Sequence, residues 1–291
     1  MTEYCTPASI EEALDLLTIH QGQARIIAGG SDLLIDLSKG KKQAQVLVDI
    51  TRIPGLKQIR VEAGFVEIGA AVTFAQIKQH AFLNKSVPML PEVAASVGAQ
   101  GIQTSATWVG NLVQAMPAAD GAVAALALNA EVQVAESGRT AWQPVTSLFA
   151  GPGRSAIDST RQMITHLRFK IPEGAWGTAW QRIGRRSALT LPILNCAVSL
   201  ELADRKIKKA LIALGPVASI PFRAQAAEAF LNGKLPNPES FTEAGRIAQG
   251  ESDPRGNPLR ASREYRLAII PVVIRRALGA ATIRAQQSAA S

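Results

Sequence analysis

Residues 26–34 read IIAGGSDLL, and this stretch decides the fold that the sequence predicts. A short apolar run ends at Gly29 and Gly30, and the residues after the two glycines have helical character. A strand that stops at paired glycines and restarts as a helix directs several backbone N–H groups toward one point, and glycine lets an anion approach the backbone closely. The stretch therefore predicts a pyrophosphate cradle, with a plain structural strand–turn–helix as the alternative.

The residues on either side of this turn form a small α/β unit. A helix with capping-box spacing at Ser9 and Glu12 precedes the turn, and the apolar run VLVD at residues 46–49 follows it as a second strand. This order predicts a compact unit over about residues 1–56.

A second stretch, residues 103–120, reads QTSATWVGNLVQAMPAAD and is rich in hydroxyl and amide groups but poor in charge. It shows neither a helical nor a strand period, so residues 98–117 are predicted to be a long irregular loop. Loops of this length are usually functional, and these side chains can contact a polyol or a phosphate. Asp120, at the start of the next helix, can accept hydrogen bonds from sugar hydroxyls. The alternative gives the loop a buried structural role and Asp120 a capping role.

The rest of the chain reads as α+β. Strands and helices alternate irregularly over about residues 57–172, and a boundary is predicted at the PEG of residues 172–174. Beyond it, three apolar runs predict a three-stranded antiparallel meander followed by helices, and Pro271 is expected to kink or restart the last helix. The predicted domains are residues 1–172, with subdomains of about 1–56 and 57–172, and residues 173–291.

Composition excludes several classes of protein. Hydrophobic residues make up 47% and charged residues 19% of the 291, which is typical of a folded globular chain without a membrane span. Two cysteines and three histidines exclude a disulfide framework, a four-thiolate zinc site and an iron–sulfur cluster. The net charge of +8 is scattered and aromatics are only 5%, so an anionic ligand or acidic partner is favoured over nucleic acid. No signal-peptide pattern is visible, which predicts a cytoplasmic protein.

The usual catalytic constellations are missing from the sequence. No GxGxxG follows a strand, no GxxxxGK[ST] or GxSxG occurs, and no histidine neighbours a plausible nucleophile. If the protein is an enzyme, a cofactor is expected to supply the chemistry.

Taken together, the two stretches resemble a known family. AGGSDLL at residues 28–34 and TWVGN followed by PAAD at residues 107–120 are similar to the two loops of the FAD-binding (medium) subunit of molybdenum hydroxylases, the xanthine dehydrogenase and carbon monoxide dehydrogenase group. WQRIGRR at residues 180–186, DPRG at 253–256 and RRAL at 275–278 also resemble that family, so the likeness covers nearly the whole chain.

The resemblance implies that FAD lies between the two subdomains. It implies that the backbone of residues 28–33 and the side chains of the second loop hold the pyrophosphate and the ribityl or ribose groups, with more distant positions near the adenine or the isoalloxazine. Arg182 would stand beside the flavin as a cation that stabilises the anionic reduced form. The cofactor-binding residues implied are Ile27, Ala28, Gly29, Gly30, Ser31, Asp32, Leu33, Val97, Gly98, Thr107, Gly110, Asn111, Asp120, Ile164, Arg182 and Leu191.

The resemblance also implies a function. The chain would be an oxidoreductase subunit that passes electrons from the [2Fe-2S] clusters of a small subunit, through its FAD, to NAD or another acceptor. A large subunit with molybdopterin would hydroxylate the substrate.

Two alternatives remain at this point. Val109 and Met116 replace a glycine and a serine that are usual in the family, which favours a flavin-free scaffold or docking subunit. The other alternative is a flavoenzyme like UDP-N-acetylenolpyruvylglucosamine reductase, whose first loop is similar but which the PAAD segment fits badly.

Overall fold

Three main β-sheets, each with its own helices, follow one another along the chain in the computed structural model, which describes residues 2–289. The first sheet is parallel, and the other two are antiparallel. The cradle predicted from the sequence leaves the first sheet and meets the second loop where the three units come together.

The first unit is a small α/β layer. Its elements are β1 (Glu3–Cys5), α1 (Ile10–Ile19), β2 (Ala24–Ile27), α2 (Leu33–Ser38) and β3 (Val46–Asp49). β3 lies between β1 and β2 and pairs with both in parallel. The Ser9 side chain accepts a hydrogen bond from the backbone N–H of Glu12, so the predicted start of α1 is confirmed.

The second unit holds an antiparallel sheet and a group of short helices. Its elements are β4 (Ile59–Glu62), β5 (Phe65–Gly69), α3 (Phe74–Gln79), α4 (Ala81–Ser86), α5 (Met89–Ser96), α6 (Gln100–Gln103), α7 (Trp108–Val113), α8 (Asp120–Ala127), β6 (Glu131–Glu136), β7 (Arg139–Pro144), β8 (Phe149–Gly151), β9 (Arg154–Ser155) and β10 (Met163–Lys170). Five strands form one sheet in the order β4-β5-β10-β6-β7, and β8 pairs with β9 alone. Short 3-10 turns follow β3 (Ile50–Arg52) and β7 (Val145–Leu148).

The prediction that residues 98–117 lack regular structure is wrong, because α6 and α7 lie within them. These helices have only four and six residues, which is too short for an amphipathic repeat to show in the sequence. Their stability comes from capping and from packing against the rest of the unit.

The third unit packs helices on an antiparallel sheet. Its elements are β11 (Ala175–Ile183), β12 (Leu194–Ala203), β13 (Lys206–Gly215), β14 (Phe222–Arg223), α9 (Gln225–Leu231), α10 (Pro238–Glu251) and α11 (Arg263–Ala289). The three predicted strands are present, but the expected three-stranded sheet is wrong, because β14 adds a fourth strand beside β13. A two-residue strand is too short to produce the alternation by which strands are read from a sequence.

Pro271 lies inside α11, which runs without a break, so the expected restart of the helix is wrong. A proline at this position removes the helical hydrogen bond that the Leu267 carbonyl would accept. The Gln249 side chain on α10 donates to that carbonyl instead, with Nε2 3.0 Å from the oxygen. Gly245 lets the two helices meet there, since a Cβ on it would lie 2.7 Å from the Pro271 Cα atom.

One hydrophobic core serves the first two units, and a second core lies between the third sheet and its helices. α8 is buried along its whole length, with the small side chains of DGAVAALA packed against β12 and β13. Asp120 is the first residue of α8, so its carboxylate lies in the interior where the units meet. No helix within residues 2–289 combines the length and the apolar character needed to cross a membrane.

Candidate functional site

Two adjoining cavities lie where the units meet, with volumes of about 190 and 350 Å³. Asp32, Val97, Asn111 and Gln114 line both of them. The structure brings all the predicted site residues to these cavities. The first is lined by Ile27, Ala28, Gly29, Gly30, Ser31, Asp32, Leu33, Val97, Thr107, Gly110, Asn111 and Ile164, and the second also by Gly98, Asp120, Arg182 and Leu191.

The paired glycines let the two loops touch. A Cβ on Gly29 would overlap the carbonyl group of Ser105 and lie 3.0 Å from the backbone nitrogen of Ala106. Gly30 has φ +66, a left-handed conformation that favours glycine. Gly29 is therefore required because the second loop comes so close, and Gly30 because the turn needs a left-handed residue. Neither glycine places a side chain in the cavity wall.

Thr107 organises the start of α7. Its Oγ1 accepts a hydrogen bond from the Gly110 N–H at 3.0 Å, which caps the helix and leaves the hydroxyl proton free to be donated to a ligand. Behind it, Trp108 is 1% exposed, and its indole N–H donates to the Gly121 carbonyl at 2.8 Å. The tryptophan thus fixes the helix from the core side, while the threonine faces the first cavity.

Asn111 lines both cavities and carries an unsatisfied polar atom. Its Oδ1 is buried and has no hydrogen-bond partner within the part of the chain that the structure describes. The same atom packs against Gly121, where a Cβ would lie 2.6 Å from it. A buried acceptor without a donor costs free energy, so hydrogen bonds among the described residues do not explain an asparagine at this position.

Asp120 joins the second loop to the third unit. Its Oδ1 accepts a hydrogen bond from Asn195 Nδ2 at 2.6 Å and lies 3.4 Å from Arg182 Nε. Burial raises the pKa of the Asp120 carboxyl, while the Arg182 charge and the hydrogen bonds from Asn195 and Arg182 lower it. The alternative of a capping role is not what the structure shows, because Ala119 occupies the N-cap position of α8.

A loop between β11 and β12 borders the second cavity. The Leu189 N–H donates to the Gly98 carbonyl at 3.1 Å, which ties the loop to the second unit. Arg182 donates from Nη2 to the Thr190 carbonyl, so its guanidinium is held by the loop and by Asp120 together. Leu191 is 52% exposed at the rim, where it presents an aliphatic surface to the opening.

Sequence reasoning missed several polar residues of the site. Lys42 Nζ lies 3.3 Å from Asp36 Oδ2 and 3.4 Å from Gln114 Oε1, and both Lys42 and Gln114 line the first cavity. Lys42 follows Lys39 and Lys41, a run that is typical of a solvated face and gives no signal of its own. Asn195 was missed because it stands in an apolar strand, where an isolated amide reads as a core residue.

The lining suits a ligand that combines polar or anionic groups with apolar parts. Backbone N–H groups, a hydroxyl, amides and an ion pair surround the cavities, and residues 2–289 contain no group of three or more histidines, cysteines or acids that could hold a metal ion. Cys196 is buried and burial raises its pKa, so its thiol is not a nucleophile.

Comparison with known proteins gives matches over nearly the whole chain. The model of the FAD binding domain in molybdopterin dehydrogenase matches residues 1–173, and that of the CO dehydrogenase flavoprotein C-terminal domain matches residues 179–281. The xanthine dehydrogenase FAD-binding subunit of Escherichia coli O157:H7 is 26% identical over 97% of this chain and 96% of that protein. The nicotine 6-hydroxylase medium subunit of Paenarthrobacter nicotinovorans is 30% identical over 94% and 95%.

A solved structure is similar as well. A chain of the carbon monoxide dehydrogenase from Hydrogenophaga pseudoflava that lacks the Mo-pyranopterin moiety superposes with a TM-score of 0.91. It is 27% identical, and the match covers 97% of this chain and 98% of that one.

Proposed function

The chain belongs to the FAD-binding (medium) subunits of the molybdenum hydroxylase family, and from this premise we propose that it is the FAD-carrying electron-transfer subunit of such a complex. The single observation that carries the proposal is that both predicted loops line the two adjoining cavities, with Asn111 lining both of them. The scaffold alternative offers no reason for cavities walled by both loops.

The residues present fit FAD. Gly29 and Gly30 keep the cradle free of side chains, and the Thr107 hydroxyl and the Asn111 amide supply a donor and an acceptor for its phosphate and hydroxyl groups. FAD, when bound, supplies the one- and two-electron redox chemistry that no side chain of this protein can supply.

The protein's own residues bind and orient the cofactor under this proposal. Residues 28–33 would hold the pyrophosphate with backbone N–H groups, Gly110 would let it approach the start of α7 without meeting a side chain, and Asp120 would accept from sugar or ribityl hydroxyls. Arg182 would supply positive charge beside the flavin. Its ion pair with Asp120 partly neutralises that charge. The apolar walls are proposed to be Ile27, Val97, Ile164 and Leu191, with Gly98 at the rim.

The partners and domains are part of the same proposal. Relatives are named as medium or FAD subunits of dehydrogenases and hydroxylases, which supports a large subunit with molybdopterin and a small subunit with [2Fe-2S] clusters. Electrons would pass from those clusters through FAD to NAD or another acceptor. We assign residues 1–172 to the FAD-binding domain and 173–291 to the C-terminal domain, and we place the protein in the cytoplasm.

The test is the visible spectrum of the purified chain before and after heat release, with the released cofactor identified by mass. We expect FAD at one equivalent, or saturable FAD binding by the cofactor-free chain. Failure to bind added FAD at tens of micromolar would contradict the proposal and favour the flavin-free scaffold. That alternative is motivated by Val109, which lies in the wall of the first cavity.

Replacing Asn111 by alanine is expected to weaken FAD binding about tenfold, because a hydrogen bond to the cofactor is lost from a buried site. The cofactor-free protein should keep its stability, since Asn111 Oδ1 has no internal partner within the described residues. Fluorescence titration with FAD and thermal unfolding measure the two effects.

Asn84→Ala is the matched control. Asn84 Nδ2 donates to the carbonyls of Lys78 and His80, away from the cavities, so its removal should lower stability and leave FAD affinity unchanged. An Asn111→Ala variant that loses stability but not affinity would show that the amide is structural.

A further inference from the structure

We propose that Asn195 is a positioning residue of the flavin site, which fixes the Asp120 carboxylate against Arg182 from the C-terminal domain. The inference rests on the proposed function and deepens it, since it assigns part of the cofactor site to a residue that does not line either cavity. Three observations carry it: the placement of Asn195 in the sheet, its unsatisfied oxygen, and the charges around Asp120.

Asn195 and Arg182 form a cross-strand pair at one end of the third sheet. They lie directly opposite each other on the antiparallel strands β12 and β11. Directly opposite residues of such a pair point to the same face, and here both donate to one oxygen, Asp120 Oδ1, at 2.6 Å from Asn195 Nδ2 and 3.4 Å from Arg182 Nε. The carboxylate is therefore held by one neutral and one charged donor.

The Asn195 amide has little freedom to move. Gly215 stands opposite it on β13, and a Cβ there would lie 2.6 Å from both Asn195 Oδ1 and the Pro117 carbonyl oxygen. Behind the strand ends, Arg266 is 3% exposed and donates from Nη1 to the carbonyls of Ile193 at 2.8 Å and Pro216 at 3.3 Å. Arg266 on α11 thus holds the ends of β12 and β13 together next to the Asn195 amide.

A purely structural role does not account for an asparagine at this position. The side chain is 0% exposed, and its Oδ1 has no partner within residues 2–289. A buried amide that is only half satisfied costs free energy, and an apolar side chain of the same shape would avoid that cost. Turning the amide over would place its oxygen against the carboxylate, so the N–H₂ group must face Asp120.

The charge of Arg182 acts directly on Asp120, and other charged groups line the same cavity. Burial raises the pKa of its carboxyl, and Arg182 on β11 and the Asn195 donor on β12 lower it. Asp32 from the first unit and Arg260 from the loop before α11 line the same cavity. Without the Asn195 donor the pKa of Asp120 rises, so the carboxylate is protonated, and its pair with Arg182 lost, at a higher pH than in the wild type.

We expect two substitutions at Asn195 to change the pH dependence of FAD affinity in opposite directions. In Asn195→Leu, FAD affinity should fall as the pH is lowered, with a midpoint above that of the wild type, and should be about tenfold weaker on the acid side. In Asn195→Asp, two carboxylates meet at the same place. The affinity should therefore fall as the pH is raised and recover on acidification, when one shared proton replaces the amide donor.

The experiment measures each full-length variant in two ways, from about pH 5 to about pH 9. One is the Asp120 carboxyl titration of the cofactor-free protein by ¹³C NMR, assigned with Asp120→Asn, and the other is FAD affinity by fluorescence titration. Ser199→Ala is the control, because Ser199 is buried on the same strand and accepts from Trp176 Nε1 at 2.7 Å, remote from Asp120. Its two profiles should match those of the wild type.

The outcomes separate the inference from the proposed function. An unchanged Asp120 titration in Asn195→Leu would overturn the inference, as would identical pH profiles for the leucine and aspartate variants. If the wild type binds no FAD while the Asp120 titration shifts as expected, the electrostatic contact is established, but the proposed function fails, and the role toward flavin fails with it.

Discussion

Gly29→Ala is expected to abolish FAD binding by the purified chain, with a loss of affinity of more than about 100-fold and of about 3 kcal/mol in the free energy of unfolding. The Cβ would overlap the Ser105 carbonyl group, which is backbone and cannot turn aside as a side chain can. The loops must separate or the strand must shift, and either movement opens the cradle. Titration with FAD and urea denaturation test the two losses.

Gly101→Ala is the control for this substitution. Gly101 lies in the short helix α6 of the second loop, and a Cβ there would meet nothing within 4 Å. Alanine favours a helix over glycine by about 0.5–1 kcal/mol, so this variant should be equally or more stable and bind FAD normally. If Gly29→Ala binds FAD as the wild type does, the close approach of the loops is not required for the site.

Trp108→Ala should cost about 3–5 kcal/mol of stability, the second large effect. The variant loses the hydrogen bond from the indole N–H to the Gly121 carbonyl and the ring contact with Phe169, whose centroid is 6.5 Å away. It leaves a cavity directly behind α7, so Thr107 and Asn111 lose their support. We expect FAD affinity to fall together with stability, in contrast to Asn111→Ala, which should affect affinity alone.

Trp142→Ala provides the comparison at a half-buried position. Trp142 lies on β7, an edge strand of the five-stranded sheet, and the Arg168 guanidinium stacks 3.9 Å from its ring centroid. Such a contact is worth about 0.5–1 kcal/mol, so the variant should be only slightly less stable and should bind FAD normally. Urea denaturation of both tryptophan variants measures the difference, and equal losses would show that Trp108 is not a special anchor of the loop.

The first half of the site could be predicted from the sequence because its signals are local. A strand, two glycines and a helix follow one another within residues 26–34, and the structure has β2, the turn and α2 there. The N-cap of α1 at Ser9 could be predicted in the same way, since it depends on two residues that are three apart. The family resemblance of the second loop predicted Thr107, Asn111 and Asp120 as cofactor-binding residues. In the structure all three line the same pair of cavities.

The other half of the site depends on contacts between distant segments. Nothing near Asn195 in the sequence points to Asp120, which is 75 residues away, and nothing near Lys42 points to Gln114, 72 residues away. The helices α6 and α7 escaped prediction because they are too short to show a period, and Gln249 compensates Pro271 from a different helix. These features form only when distant segments pack together, so a local sequence pattern does not predict them.

The hydrogen bond from Gln249 to the Leu267 carbonyl makes α10 a condition for the unbroken course of α11 past Pro271. A chain carrying α11 alone would bend at the proline, because the Leu267 carbonyl would turn toward water for its missing donor. Beyond the proline, Arg284 on the same helix binds the Thr178 carbonyl at 2.8 Å and pairs with Glu92 of the second unit. The course of α11 therefore also affects the second unit, because the helix contacts that unit beyond the proline. A single amide, that of Gln249, supports the helix at the proline.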